Sequence, residues 1–515
     1  MARADVLAQR TGGLGGYLAG ILILVPLSAL ALIMGEGEFA VALSPLIIAI
    51  LGFAVIRLPL RVTITALVFV CIVVDNPMEK PANGLWQSPL YPIGKLIFVN
   101  LSKLSGIGAL GFCLLDAAIV LFLLLSWFRK TTRDPSEKGA IAPIKPLTQL
   151  LVASFLMVCF LEAYGISRGG NFKNSLWQIR SLLMMPLVCY LFIRAFRHPD
   201  DLKPLGTVLI VGSCIKALIG FYYFWVICRP LHMKPQYVTS HADTMLYATS
   251  IGLLISYWLE TRSRRSILAA LVAIPIIMIG IITNDRRLVF VSIFGGCFTM
   301  FMMLDWKIRR RFIRYGLLAS PLLAVYFVAG MNSKSMAFMP VQRIMSVATQ
   351  EDRSSGTRDI ENFNLIWTLK PRPLMGQGFG HEYNEIVQAD SIASLFALYR
   401  YIGHNSVLWL WSVSGFVGFT VIWMYLAVGV YLLVRSYRFA KDPTHRVMAM
   451  TCIFAIIAFE LQAWGDMGIE NWSGVFLVAA SIAAASRLAV ATGAWGRAPA
   501  AAVEAPKLVL VGSKA

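Results

Sequence analysis

Residues 353–386 read RSSGTRDIENFNLIWTLKPRPLMGQGFGHEYNEI, and residues 399–418 read YRYIGHNSVLWLWSVSGFVG. The stretch gathers five basic side chains and two histidines, and a hydrophobic run begins directly after His404 and Asn405. Most of the remaining chain is apolar. We therefore expect the chemistry of this protein at the junction where the polar segment meets the apolar helix.

The composition is that of a membrane protein. Of 515 residues, 58% are hydrophobic and 14% are charged, whereas about a quarter of the residues of a soluble protein are charged. The net charge of +19 falls mostly in short connections between apolar runs, so membrane orientation and anionic headgroups explain it and no nucleic-acid partner is expected. The eight cysteines form no CxxC pair, which argues against a disulfide framework or a zinc site.

A membrane span needs roughly 20 apolar residues, and on that basis the sequence predicts an all-α polytopic protein with about fourteen transmembrane helices. The predicted spans are 17–34, 39–56, 58–74, 107–128, 147–164, 182–196, 205–227, 242–259, 267–283, 288–306, 315–331, 406–434, 447–464 and 472–486. The chain is thereby divided into helices one to eleven (1–331), a large extracytoplasmic loop carrying short helices (332–404), helices twelve to fourteen (405–490) and a tail (491–515).

Basic connections alternate with connections that lack basic residues, which predicts the orientation. The short loops GEGEF and GDMGIEN contain no Lys or Arg and are predicted to lie outside. Both termini are then cytoplasmic, and the loop 332–404 lies on the periplasmic face of a bacterial inner membrane.

Arg286 and Arg287 lie where the ninth predicted helix turns into the tenth, on the outer side, where arginine is disfavoured. The planar guanidinium fork binds phosphate oxygens in pairs, so this pair predicts a phosphate site. The alternative is a pair that snorkels to lipid headgroups. Arg180, Arg358 and Arg400 extend the same basic surface, which indicates an anionic ligand.

His404 follows Gly403 and precedes Asn405 and Ser406, either of which can cap the next helix. With an ordinary pKa of about 6.5, a histidine can accept a proton at neutral pH, and the positive helix N-terminus is expected to keep it neutral. The alternative is a loop histidine without a role. No pair of histidines has HxxxH or HExxH spacing, so no metal site is predicted.

Three charged residues, Asp116, Lys216 and Glu460, fall inside predicted spans. Such residues mark either a pathway or internal pairs that hold the bundle together. A lipid-linked sugar flippase or another transporter is therefore the alternative function, although transporters commonly have duplicated halves and no duplication is visible here.

Together these features resemble the O-antigen ligase and polymerase superfamily of bacterial membrane glycosyltransferases. The resemblance covers residues 267–434 and consists of an arginine at the outer start of a helix, a loop with Arg and Trp, a P-L-x-G-x-G turn, and His-Asn before the next span. The matching residues are Arg286 or Arg287, Arg358, Trp367, Pro373 to Gly378, and His404 to Ser406. Two features depart from the family: Asp285 replaces the familiar serine, and fourteen spans exceed the usual dozen or so.

The resemblance implies transfer of a glycan from undecaprenyl diphosphate to a sugar hydroxyl, with inversion and without a metal or cofactor. His404 is implied as the base, and Arg286, Arg287 and Arg358 as ligands of the diphosphate. Further candidates for substrate binding are Arg180, His241, Arg400 and Asn405. The acceptor is a lipid A-core sugar for a ligase or another carrier-linked glycan for a polymerase, and the sequence does not distinguish them.

Overall fold

The computed structural model describes residues 22–74, 90–102, 111–128, 140–233, 237–333, 335, 338, 340–342, 345, 353–388 and 398–496. These residues form helices joined by irregular connections and contain no β-strand, apart from one isolated bridge between Asn100 and Cys113. The prediction of an all-helical fold is thereby confirmed. The start of the first predicted span, parts of the predicted loop 332–404, and 497–515 of the predicted tail lie outside the described residues.

The helices are numbered here in chain order. They are α1 (Leu22–Met34), α2 (Phe39–Arg57), α3 (Leu60–Val73), α4 (Tyr91–Ile97), α5 (Leu114–Phe128), α6 (Lys145–Ser167), α7 (Phe172–Ala195), α8 (Lys203–Tyr223), α9 (Asp243–Thr261), α10 (Arg264–Asn284), α11 (Leu288–Met303), α12 (Trp306–Met331), α13 (Arg353–Leu369), α14 (Ser406–Phe439), α15 (Pro443–Gly465) and α16 (Trp472–Ala491).

Within the described part of the chain, nine helices are long and apolar enough to cross a membrane. They are α2, α6, α7, α8 with the turn that follows it, α10, α12, α14, α15 and α16. Helices α1, α3, α5 and α11 are apolar but shorter. Each of the fourteen predicted spans overlaps a helix, so the protein is a multi-pass helical membrane protein, and the number of crossings stays a prediction.

Two helices begin well before the predicted positions. Helix α7 begins at Phe172, where the side chain of Asn171 accepts a hydrogen bond from the backbone N–H of Asn174 at 3.2 Å. Its first turns are polar, so hydropathy alone places the start at residue 182. Arg180 therefore lies within the helix and not at its outer end. Helix α12 likewise includes the basic segment that precedes the predicted start at residue 315.

The C-terminal helices form the centre of the bundle. Helix α15 packs against α9, α11, α14 and α16, and α16 packs against α7. Small residues permit these close approaches: the ring of Phe454 in α15 lies against Gly252 of α9 and Gly296 of α11, where a Cβ atom would overlap it. Helix α12 lies at the periphery, with none of its apolar window buried.

Helix α14 is broken at Gly415, whose φ of 62° is non-helical. The glycine-rich turn of residues 373–380 fills the break: Phe416 N–H donates to the Pro373 carbonyl at 2.8 Å, and Gly378 N–H donates to the Val413 carbonyl at 2.8 Å. Irregular backbone at membrane depth is tolerated where its polar groups are satisfied inside the protein. The turn therefore replaces the hydrogen bonds that the broken helix lacks.

Gly376→Ala should destabilise the protein by about 3 kcal/mol, because Gly376 has a φ of +64° and a Cβ atom there would overlap the Val413 carbonyl. Thermal unfolding in detergent, followed by intrinsic fluorescence, measures the effect. Gly356→Ala is the matched control, since Gly356 is exposed in α13 and has nothing within 4 Å of its Cβ position. Equal unfolding midpoints for the two variants would contradict the role of the turn.

Candidate functional site

One half of the candidate site is a histidine–carboxylate pair between α13 and the start of α14. His404 Nδ1 lies 2.9 Å from Oε2 of Glu361, and the backbone N–H of His404 donates to Oε1 of the same carboxylate at 3.0 Å. Glu361 is buried and the side chain of His404 is 28% exposed. A proton on Nδ1 shared with the carboxylate leaves the lone pair on Nε2, which is the tautomer that can accept a proton from a substrate.

The segment before His404 is fixed by buried polar contacts. The carbonyl of Tyr401 accepts hydrogen bonds from Nε1 of Trp409 at 2.6 Å and from Nε2 of Gln178 at 2.5 Å. Asn405 is the N-cap of α14: its Oδ1 accepts from the backbone N–H of Leu408 at 3.0 Å. His404 is therefore held on a rigid connection, and Asn405 has a capping role.

The other half of the site lies at the same end of the bundle, where α10 ends. Asn284 Oδ1 accepts the backbone N–H groups of Val238 and Thr239 at 3.0 Å each, and its Nδ2 donates to the carbonyl of Ser240 at 2.9 Å. Asn284 thus fixes the segment that leads to His241. The next residue, Asp285, has a φ of 52° and ends α10 in the left-handed conformation.

Asp466 joins Arg286 and His241. Its Oδ2 lies 3.0 Å from Nη2 of Arg286 and 2.5 Å from Nδ1 of His241, and the same Nη2 contacts both ring nitrogens of His241. Tyr237 packs edge-on against the imidazole ring, and its own ring lies under the guanidinium of Arg286, 5.5 Å from ring centroid to Cζ. This arrangement fixes the direction in which the Arg286 fork points.

Arg358 is within electrostatic range of both halves. It lies one helical turn before Glu361 in α13, and its charge acts on both Arg286 and His404. Asp466 also contacts the start of α14, because Ser406 Oγ lies 3.5 Å from the Asp466 carbonyl oxygen. His404, Arg286, Arg358 and His241 are therefore brought together in one cluster.

Arg286 is a partly buried cation with other arginines nearby. Burial lowers the pKa of Arg286, Asp466 opposes that effect, and repulsion from Arg358 and Arg287 adds to it. Since a guanidinium stays protonated in proteins, a lowered pKa indicates a cation that would be stabilised by a further anion. Arg287 is half-buried next to Arg286.

The pKa of His404 is raised above its ordinary value of 6.5 by the hydrogen bond to Glu361, although burial and the charge of Arg358 lower it. The expectation that the helix N-terminus keeps this histidine neutral is therefore wrong in direction. The Glu361 carboxylate has the largest effect on the pKa of His404 because it is in contact with the ring. The result is a stronger base than a solvated imidazole.

Two further candidates for substrate binding, Arg180 and Arg400, form ion pairs with other residues. Arg180 is in an ion pair with buried Asp116, with Nη2 2.9 Å from Oδ2. Arg400 pairs with Glu385 and lies 3.5 Å from Oε2 of Glu382. These contacts give both arginines a structural role within the described residues, and their proposed role in substrate binding stays a prediction.

Sequence analysis missed the two carboxylates of the site, Glu361 and Asp466. Glu361 stands three residues after Arg358 in RDIENF, a spacing that puts both on one helix face. Asp466 lies in GDMGIEN, where the absence of basic residues was used only for orientation. Spacing could have suggested Glu361, whereas Arg286 and His241, the partners of the Asp466 carboxylate, lie 180 and 225 positions away from it.

The fold defines a multi-pass helical membrane protein. No protein-family model matches the sequence, and no curated protein does. Within the described ranges no group of three or more His, Cys, Asp or Glu side chains is arranged to hold a metal ion.

Glu361→Gln should lower the pKa of His404, because an amide cannot stabilise the imidazolium as a carboxylate does. An NMR titration of isotope-labelled histidine in nanodiscs, with His404→Gln to assign the signal, measures it. Asp359→Asn, at an exposed position of the same helix, is the control for charge and should change the pKa much less.

The raised pKa of His404 makes the stability of the folded protein depend on pH. Because the pKa of His404 is raised on folding, the stabilisation from its pair with Glu361 is complete below pH 6.5 and is lost as the pH rises through the raised value. A pKa that is the same in Glu361→Gln and the unchanged protein would contradict the pairing.

Proposed function

We propose that this protein is a membrane glycosyltransferase of the O-antigen ligase and polymerase type. It transfers a glycan carried on undecaprenyl diphosphate to a sugar hydroxyl. The observation that carries the proposal is a partly buried Arg286, paired with Asp466 and near two further arginines, at the same end of the bundle as the His404–Glu361 pair. One site thus offers a cation for a diphosphate and a base for an alcohol.

The balance of charge favours an anionic ligand. Three guanidinium groups (Arg286, Arg287 and Arg358) act on one another at this end of the bundle, and the carboxylates of Asp466 and Glu361 are shared with histidines. Arg286 is 20% exposed at its side chain, so solvent screens it only in part. A diphosphate would add negative charge where the cluster lacks it, and guanidinium groups bind its oxygens in pairs.

The proposed reaction is a single displacement. Nε2 of His404 removes the proton of the acceptor hydroxyl, and the acceptor oxygen forms a bond to the anomeric carbon. The bond between that carbon and the diphosphate oxygen breaks on the opposite face, and undecaprenyl diphosphate leaves with the electron pair. Arg286, Arg287 and Arg358 stabilise the charge on the leaving group. One displacement inverts the anomeric configuration.

The two carboxylates have different roles in this proposal. Glu361 holds the imidazole of His404 in the tautomer with a free Nε2 and stabilises the imidazolium that forms. Asp466 and His241 hold Arg286 against Tyr237, so that its fork stays aimed at the diphosphate. Glu361 and Asp466 are positioning residues, because Glu361 acts through His404 and Asp466 acts through Arg286.

The proposed location is the periplasmic face of a bacterial inner membrane, with both termini cytoplasmic and 332–404 as the large periplasmic loop. In support, the segments that carry the site meet at one end of the bundle: before α9, after α10, before α14 and after α15. The acceptor, whether a lipid A-core sugar or another carrier-linked glycan, presents a hydroxyl to the same base.

The contacts of the charges inside the helices support an enzyme over a flippase. Lys216 donates to the Val74 carbonyl at 3.1 Å, Glu460 accepts from Nε1 of Trp423 at 2.7 Å, and Asp116 pairs with Arg180. Each has a different partner in the bundle. Each of the three is thus tied to a neighbouring helix or segment, as internal pairs that hold a bundle together would be.

His404→Ala should abolish glycan transfer by purified protein in detergent supplied with lipid-linked donor and acceptor, because the hydroxyl then lacks its base. A loss of about 10²–10⁴-fold is typical for a positioned acid–base group. Arg435→Lys is the control, since Arg435 stacks on Tyr431 far along α14 and is outside the site. Transfer unchanged in His404→Ala would exclude the mechanism, and no transfer by the unchanged protein would favour a flippase.

A further inference from the structure

Helix α13 has two unlike faces. Glu361, Asn364 and Leu365 are buried on the side that meets the site and α14. On the other side Phe363, Ile366 and Trp367 are 41%, 45% and 40% exposed. Leaving these side chains partly uncovered in water is unfavourable, by a fraction of the about 1.5–3 kcal/mol that complete burial of each would contribute.

The end of α13 combines these apolar groups with cations. Nζ of Lys370 lies 3.6 Å from the centroid of the Trp367 ring, and Arg372 is exposed two residues further on. Tryptophan and tyrosine with neighbouring Lys or Arg concentrate at the boundary between water and lipid, where rings meet the headgroups and cations meet phosphates.

The chain after α13 descends along α14. Leu374 is 64% exposed, and its carbonyl accepts the backbone N–H of Val417 at 3.0 Å. Val417 lies eleven residues after the start of α14, which is roughly 16 Å along a helix axis. Leu374 is thus next to Phe416, an exposed residue of an apolar helix long enough to span the membrane.

The middle of α13 is held beside the start of α14. Nδ2 of Asn405, the N-cap of α14, donates to Oδ1 of Asn362 at 3.2 Å, and Leu365 packs against Gly403. The helix therefore lies beside the first turn of α14, where the apolar span begins. From there to Leu374 the exposed side becomes continuous with the lipid-facing surface of α14.

We infer that this exposed side, formed by Phe363, Ile366, Trp367, Lys370 and Leu374 and called here the interfacial face, is immersed in the bilayer leaflet on the side of the site. Its occupant is lipid: acyl chains lie against the apolar side chains, and the long side chains of Lys370 and Arg372 extend back to the headgroup phosphates. Immersion deepens from Phe363 to Leu374. The opposite face of the same helix carries Arg358 and Glu361, so the site is held at the level of the headgroups.

This inference does not depend on the proposed glycosyl transfer, and its test is independent of activity. A nitroxide amino acid is introduced singly at positions 359, 363, 367 and 374 of the full chain in nanodiscs of phosphatidylethanolamine and phosphatidylglycerol. Collision rates with oxygen and with a water-soluble nickel chelate are then measured by EPR. Asp359, exposed in the first half of α13, is the aqueous reference.

The oxygen-to-nickel accessibility ratio should rise in the order 359, 363, 367, 374 and be several-fold higher at 374 than at 359. A ratio at 363, 367 and 374 equal to that at 359 would overturn the inference, because the face would then be in water. Low accessibility to both reagents would also overturn it, since protein would cover the face. Spin–spin distances between copies would then identify a dimer.

A second measurement uses conservative variants and so does not depend on tolerance of the nitroxide. Brominated lipids quench tryptophan near the bromine, and the difference between the unchanged protein and Trp367→Phe isolates the contribution of Trp367. Quenching of that difference signal by shallow bromines is expected. A difference signal that shallow and deep bromines leave unquenched would contradict immersion of this face.

Discussion

The ion pair between Arg286 and Asp466 is the interaction on which the site depends. A guanidinium taken out of water needs a counter-ion, and Asp466 provides one at 3.0 Å while it also contacts His241. Arg358 and Arg287 repel the same guanidinium. One carboxylate is thus shared between an arginine and a histidine with further arginines nearby, and in the proposed function this arrangement is what attracts a diphosphate.

The break in α14 also helps to hold the site together. The turn of residues 373–380 supplies the hydrogen bonds missing at Gly415, and it ties the segment after α13 to the body of the bundle. Arg358 and Glu361 on α13 are thereby fixed relative to His404 on α14. A site assembled from a helix outside the bundle gains the rigidity of the packed helices through that turn.

The sequence predicted the helices well because apolar length is a local property, and it failed where local hydropathy misled, as at the polar start of α7. It singled out Arg286 and Arg358 as candidates because cations on a predicted outer side are unusual, and His404 because it directly precedes an apolar helix. It missed Asp466 and Glu361 because carboxylates in polar segments look solvated. Arg180 looked like a ligand because nothing local reveals Asp116, its partner 64 residues away. Partners distant in sequence are set by packing, which spacing does not encode.

The most direct test of the account is the binding of undecaprenyl diphosphate, compared with undecaprenol, to the purified protein in nanodiscs. The account predicts that the diphosphate binds at least tenfold more tightly than the alcohol, a difference of about 1.4 kcal/mol, and that Arg286→Lys removes most of this preference because an ammonium lacks the fork. Equal affinity for the two lipids, or a preference that Arg286→Lys leaves intact, would contradict it.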